Sequence, residues 1–256
     1  MPGRSMQVMS TCGARAAMFE HDDMTQRRWF CWGWVLAVAG CVVTGCERPV
    51  STPNEDAEDG VVVTSTVAEA DREVVTSGIV AAARGRIGRT VVYDGAYVGL
   101  AYPGGDVPIE RGVCSDVVIR ALRDGLDMDL QRLVHEDMSA AFGEYPTIWG
   151  LSKPDRNIDH RRVPNLRRYF ERRGWSLGVS DRLGEYRAGD LVTCKVGGNR
   201  PHIMVVSDRK NSAGVPLVIH NIGRGTKEEN RLFEFALTGH YRIEGGAGSD
   251  DGVGGE

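Results

Sequence analysis

Several features are scarce or missing in this chain, and each absence narrows what it can be. There is no surplus of basic charge: 31 Lys and Arg face 35 Asp and Glu, a net charge of -4 over 256 residues. That leaves no general footprint for nucleic acid. One local cationic region remains, Arg161, Arg162, Arg167, Arg168, Arg172 and Arg173, and it reads equally as a solvated helix face. No internal repeat and no heptad pattern is visible, so solenoids and coiled coils are set aside. The apolar run over residues 29–45 is too short, and too soon followed by polar residues, for a comfortable membrane span. The cysteines and histidines lack the close-spaced pairs of structural zinc sites. A Cys and two His still leave a metal site as an alternative, but the expectation is no metal and no cofactor.

What is present begins with an export signal. Arg27 and Arg28 precede the apolar run, which closes on Val43-Thr44-Gly45-Cys46 and resembles a bacterial lipobox. Residues 1–45 are therefore read as a signal peptide, with Met6, Met9, Met18 or Met24 as candidate starts and Met24 giving the most usual signal length, and with Cys46 the lipidated residue of the mature protein. A plain membrane anchor or an ordinary cleaved signal is the alternative. Residues 46–70 read as a flexible linker, 71–244 as one domain, and 245–256, mostly Gly and Asp, as a disordered tail. The expected location is the bacterial cell envelope, with the domain facing the periplasm. Glu47, standing where some bacteria use a retention aspartate, favours the outer membrane.

Processing at Cys46 leaves Cys114 and Cys194 as the thiols of the exported body. A disulfide between them is the structural alternative in an oxidising compartment. The periodicity predicts helices over about Asp71–Arg84, from Cys114, over about Leu130–Phe142, and over Pro164–Arg173 ending at Gly174. Short β-rich runs follow at Asp190–Cys194, Ile203–Ser207, Leu217–His220 and around His240–Ile243. The class is α+β, with N-terminal helices packed on a small antiparallel sheet or half-barrel.

Cys114, in Gly112-Val113-Cys114-Ser115-Asp116, sits at a predicted helix start, where unsatisfied amides and the helix dipole favour a thiolate. His202 opens a strand and has the chemistry of a general base; His220, one strand later, can orient it, with Asn221 the nearest substitute. The alternative is two structural histidines and a core cysteine. The segment Asn157–Asn165 concentrates Asp159, His160, Arg161 and Arg162. It reads as substrate-facing, an Arg gripping a carboxylate and Asp159 an amine, or as a structural ion-pair knot.

Tyr102-Pro103-Gly104-Gly105-Asp106-Val107-Pro108, the Cys114 segment, Asn157–Asn165 and Pro201-His202-Ile203 together resemble the bacterial family called domain of unknown function 1287. The likeness extends from about Val75 to Ile243 and includes Ala188–Val192 and Val218–Gly223. That family is similar to the NlpC-type peptidases, a branch of the papain-like cysteine peptidases. The resemblance implies a papain-like fold, a Cys114–His202–His220 triad, and Tyr102 as an upstream tyrosine completing an oxyanion hole with the Cys114 amide. A packed aromatic in a Pro-Gly turn is the other reading of Tyr102. Val113 stands where the wider group has an Asp directly before the cysteine. The implied activity is hydrolysis of an amide bond in a peptidoglycan peptide stem. A non-catalytic envelope scaffold, or an acyltransferase using the same triad, are the alternatives.

Overall fold

A computed structural model describes residues 61–243, with side chains from Glu69 onward. The signal peptide, Cys46 and the C-terminal tail lie outside the described residues. Four helices, α1 (Val61–Arg84), α2 (Cys114–Leu126), α3 (Leu130–Ala140) and α4 (Val163–Arg172), precede a five-stranded antiparallel sheet. Its strands are β3 (Leu191–Val196), β4 (Arg200–Lys210), β5 (Pro216–Asn221), β6 (Thr226–Glu229) and β7 (Leu237–Tyr241), in the order β6-β5-β4-β3-β7. A parallel pair, β1 (Val92–Tyr93) and β2 (Arg111–Gly112), lies apart from that sheet. The α+β architecture agrees with the sequence reading; α1 corrects it, because the helix starts at Val61, inside the stretch read as linker.

The helix ends follow local chemistry. The Asp129 carboxylate accepts from the Gln131 amide (3.0 Å) to start α3, Pro164 stands in the first turn of α4, and Asp127 closes α2 in the left-handed region at φ 55°. α1 and α2 touch at Gly78 and Gly125: a Cβ on Gly78 would lie 2.6 Å from the Gly125 carbonyl oxygen. Only glycines let the two backbones approach that closely.

Strand alternation gives the sheet two apolar faces. Leu191, Ile203, Val205 and Ile219 pack in one core with Cys114, Val117, Val118, Ala121 and Leu122 of α2 and with Ile79, Val80 and Ala83 of α1. Val192, Cys194, Met204, Val206 and Val218 form a second core with Tyr186 and Leu232. Cross-strand partners confirm the division, Thr193 opposite Ile203 and Cys194 opposite His202. The consequence for the site is that Cys114 belongs to the helix side of the sheet, while His202 alternates with residues of the other side.

Arg120, wholly buried, ties the helix layer to the loop before it. Its guanidinium donates to both oxygens of Asp106 (2.8 and 3.0 Å), to Thr90 Oγ1 (2.9 Å) and to the Val107 carbonyl (2.9 Å). A buried guanidinium is tolerated because its donors find partners.

The glycine contact is testable. Alanine is the better helix former by about 1 kcal/mol, but a methyl pressed into a backbone carbonyl costs about 1–3 kcal/mol. Gly78→Ala should therefore lower unfolding free energy in urea by about 1 kcal/mol or more, and Val74→Ala, on the exposed side of α1, should change it little. A Gly78→Ala protein more stable than the parent would contradict the close approach.

Candidate active site

The first turn of α2 is fixed from three directions. The Asp116 carboxylate accepts from the Val113 amide (2.6 Å) and receives Nε and one terminal nitrogen of Arg161, each at 2.9 Å. Both side chains of this fork are almost fully buried. The same guanidinium donates to the carbonyls of Ala96 (3.1 Å) and Asp94 (3.3 Å), and Ser115 Oγ donates to the Arg161 carbonyl (2.7 Å). Immediately before the helix, Gly112 cannot carry a side chain, since a Cβ would lie 2.9 Å from the Asp116 Cβ. The Gly112 carbonyl is held by Asn221 Nδ2 (3.0 Å) from the end of β5.

Cys114 is thus a buried residue at a helix mouth. Its own amide, the Ser115 amide and, foremost among the hydrogen bonds, the Ile203 amide favour the thiolate, yet burial outweighs them and pushes the thiol up to about 11. This corrects the sequence expectation of a lowered pKa. Cys194 is also a buried free thiol, pushed up to about 12 by burial and then by the charge of Cys114.

Cys114 shares the helix-side core with Ile203 of β4, the residue next to His202 in sequence. There, His202 Nε2 and His220 Nδ1 are 2.9 Å apart, the rings meeting edge to face with centroids at 5.1 Å. His220 Nε2 in turn lies 3.2 Å from Glu229 Oε2, and Arg231 Nε lies 3.2 Å from that same oxygen. A polar chain therefore runs from His202 on β4 through His220 on β5 to Glu229 at the end of β6 and Arg231 just beyond it. Burial, and then the neighbouring His220, lower His202 to about 3; burial also lowers His220, with Glu229 opposing. His202 is neutral at pH 7. With Nε2 committed to His220, Nδ1 is the ring nitrogen that His220 does not engage.

Other predicted residues fall elsewhere. Tyr102 packs edge-on against His135 (centroids 5.3 Å) with the Arg156 guanidinium 5.5 Å from its ring. Gln131 holds its loop, accepting from Gly105 N (2.8 Å) and donating to the Ala101 carbonyl (2.9 Å). The tyrosine whose hydroxyl feels the sulfur is Tyr93, raised to about 12 by burial and next by the charge of Cys114. It pairs with Gly112 across β1 and β2, which is why it stands beside the cysteine.

The segment read as substrate-facing is instead the ion-pair knot. Asp159, His160 and Arg161 are buried; Asp159 accepts from Asp155 N (2.5 Å) and from Arg162 (2.9 Å), and Arg162 lies 4.2 Å over the Trp149 ring. Burial lowers His160 to about 4. Asn221, read as a substrate contact, is fully buried and braces the loop before Cys114. Sequence reasoning missed Glu229 and the place of Tyr93: Glu229 lies on β6, a strand too polar for the β signal, and Tyr93, on a stretch that reads as extended, reaches the site only through the pairing of β1 with β2.

This geometry lies inside a recognised stretch of sequence. Residues 80–243 match the model for Domain of unknown function (DUF1287). The chain belongs to the DUF1287 family. A relative in Escherichia coli (strain K12), "Uncharacterized protein YijF", is 57% identical over 160 residues, covering 62% of this chain and 78% of its own length. The DUF1287 match takes in Cys114, Tyr93, His202, His220 and Glu229 together, so the whole polar chain falls within the family region.

Two measurements test the site. Alkylation of Cys114, followed by peptide mapping, should quicken about tenfold per pH unit up to about pH 11, as the thiolate fraction grows; a plateau below pH 8 would show a thiolate already formed. Arg161→Met should cost about 3–5 kcal/mol in urea unfolding, because it strands a buried Asp116 carboxylate, and Arg161→Met with Asp116→Leu should recover part of the loss. Equal losses in the single and double variants would remove the fork from its supporting role.

Proposed function

We propose that this protein is a lipid-anchored cysteine hydrolase of the bacterial envelope, with a papain-like fold of the NlpC type, that cleaves an amide bond in peptidoglycan peptides. The observation that carries this reading is the buried His202–His220 bond of 2.9 Å, which starts next to Ile203, a core neighbour of Cys114. A structural histidine pair needs no carboxylate behind its second member, and here Glu229 Oε2 stands 3.2 Å from His220 Nε2.

In this mechanism His202 Nδ1 accepts the Cys114 proton as the sulfur attacks the scissile carbonyl carbon. His220 and Glu229 hold the imidazole in place and favour the imidazolium that forms. The negative charge developing on the carbonyl oxygen is met by the Cys114 amide at the helix mouth and by the Tyr93 hydroxyl. His202 then returns the proton to the leaving amine, and a water molecule, activated by the same imidazole, hydrolyses the thioester and frees the thiol. The anchor at Cys46 keeps the enzyme beside the wall. Supporting it is the sequence around residues 27–46, not any described residue.

One observation favours a second reading. The thiol is buried and its pKa raised, and His202 alternates away from the helix face, which would suit a binding lipoprotein that keeps the fold without turnover.

Digestion of isolated peptidoglycan separates the two. Wild-type protein should release peptide fragments by mass spectrometry, Cys114→Ala none, and His202→Ala at least about 100-fold fewer. Glu229→Gln, which acts through His220, should lower kcat by about tenfold and leave KM nearly unchanged. No fragments from wild-type protein, or equal yields from wild type and Cys114→Ala, would leave the binding reading in place.

A further inference from the structure

The proposed hydrolase uses His220 and Glu229 to support His202. Beside them, a pocket of about 340 Å³ is lined by His220 and Glu229 together with Arg224, Gly225, Lys227 and Arg231. Three cations thus face one carboxylate. Arg231 is already engaged, with Nε 3.2 Å from Glu229 and another guanidinium nitrogen 3.2 Å from Glu234. Arg224 and Lys227 are exposed and pair with no carboxylate among the described residues.

The floor of this pocket is rigid. Gly225 has φ +81°, and a Cβ there would lie 2.9 Å from both the Thr90 carbonyl oxygen and the Val91 Cα. The next amide, Thr226, donates to that same Thr90 carbonyl (2.8 Å). The backbone is therefore clamped in a conformation that requires glycine. Among the described residues, the amides of Arg224 and Gly225 donate to no protein acceptor. Open donors, two uncommitted cations and a preformed concavity are the elements of an anion site.

We propose that this pocket binds the free carboxylate of a short peptide, with Arg224 and Lys227 as charge partners and the Arg224 and Gly225 amides as donors. The volume is at the small end for ligand sites, enough for a terminal residue or two. Glu229 on the lining repels a doubly charged phosphate more than a singly charged carboxylate, which sets the preference between anions. That the carboxylate belongs to a peptide rests on the hydrolase reading; that the pocket takes a carboxylate does not. Peptides would then be selected by an unblocked C-terminus.

Binding can be measured without turnover in full-length Cys114→Ala protein, by calorimetry. The probes are N-acetyl-alanyl-alanine in D and L forms, the corresponding C-terminal amides, and inorganic phosphate. The free acid should bind at least tenfold more tightly than the amide, weaken as salt rises, and lose tenfold or more in affinity in Arg224→Gln/Lys227→Gln protein. Both substitutions are at exposed positions, and an unchanged unfolding midpoint shows that the variant is folded. Equal binding of acid and amide, unchanged affinity in the double variant, or tighter binding of phosphate than of either peptide acid would overturn the proposal. Because wall digestion is read separately, carboxylate binding without hydrolysis would sink the hydrolase reading and leave the pocket standing.

Discussion

The buried fork between Arg161 and Asp116 is the contact on which the rest of the site depends. One guanidinium satisfies both oxygens of the carboxylate and reaches two backbone carbonyls of the 94–96 segment. The carboxylate in turn caps the Val113 amide at the mouth of α2. Three chain segments far apart in sequence are thereby locked around Cys114. The strength of such an arrangement lies less in net stability, since desolvation consumes much of the Coulomb gain, than in the penalty for any alternative that leaves a charge buried and alone. A cysteine held to a strand residue needs that kind of positional constraint.

The electrostatics of the sulfur show how magnitude decides between opposing effects. A helix N-terminus stabilises a negative charge by about 0.3–1 kcal/mol, and up to about 2 in partly buried geometry. Full burial moves a pKa by as much as about 3–5 units, which at about 1.4 kcal/mol per unit is the larger effect. The thiol is accordingly raised despite three amides that favour its anion. The same burial lowers His202. Both partners rest uncharged, so under the hydrolase reading charge separates only when a substrate carbonyl offers the electrons a destination. The chain from His220 to Glu229 matters most at that moment, because a carboxylate behind the second ring favours positive charge on the first.

Much of the fold was legible from pattern. Apolar spacing located α2, α3, α4 and the cores of β3, β4, β5 and β7, because each buries a continuous stripe or an alternating face. β6 escaped because Thr226-Lys227-Glu228-Glu229 buries little and is paired through its backbone with β5. For the site, the cysteine and both histidines were readable as residue types at element ends. Tyr102 was chosen because the family resemblance implies a tyrosine upstream of Cys114, a likeness blind to the pairing of β1 with β2 that brings Tyr93 there instead. The dense charges at 159–162 were readable as polar but not as inward-facing. Only the tertiary partners, Asp116 and Asp155 above all, say which way those side chains turn.

Strand geometry accounts for the position of the histidines. Along β4, Ile203 and Val205 face the helices, so His202 leaves the strand toward the second core together with its cross-strand neighbour Cys194. Under the hydrolase reading, a thiol–imidazole pair astride a sheet could not form in the middle of a strand, where the backbone itself is a barrier of hydrogen-bonded amides. It requires the strand's end, and His202 stands two residues after the first residue of β4, preceded by exposed Arg200 and Pro201. Pro201 offers no amide to the ladder. Ile203, packed in one core with Cys114, marks the place where the helix reaches this end. The same edge position lets His220 show one ring nitrogen to His202 and the other to Glu229, on the rim of the pocket. Had His202 been set two residues further into β4, it would occupy the site of Met204 and be sealed in the second core, away from the strand's end.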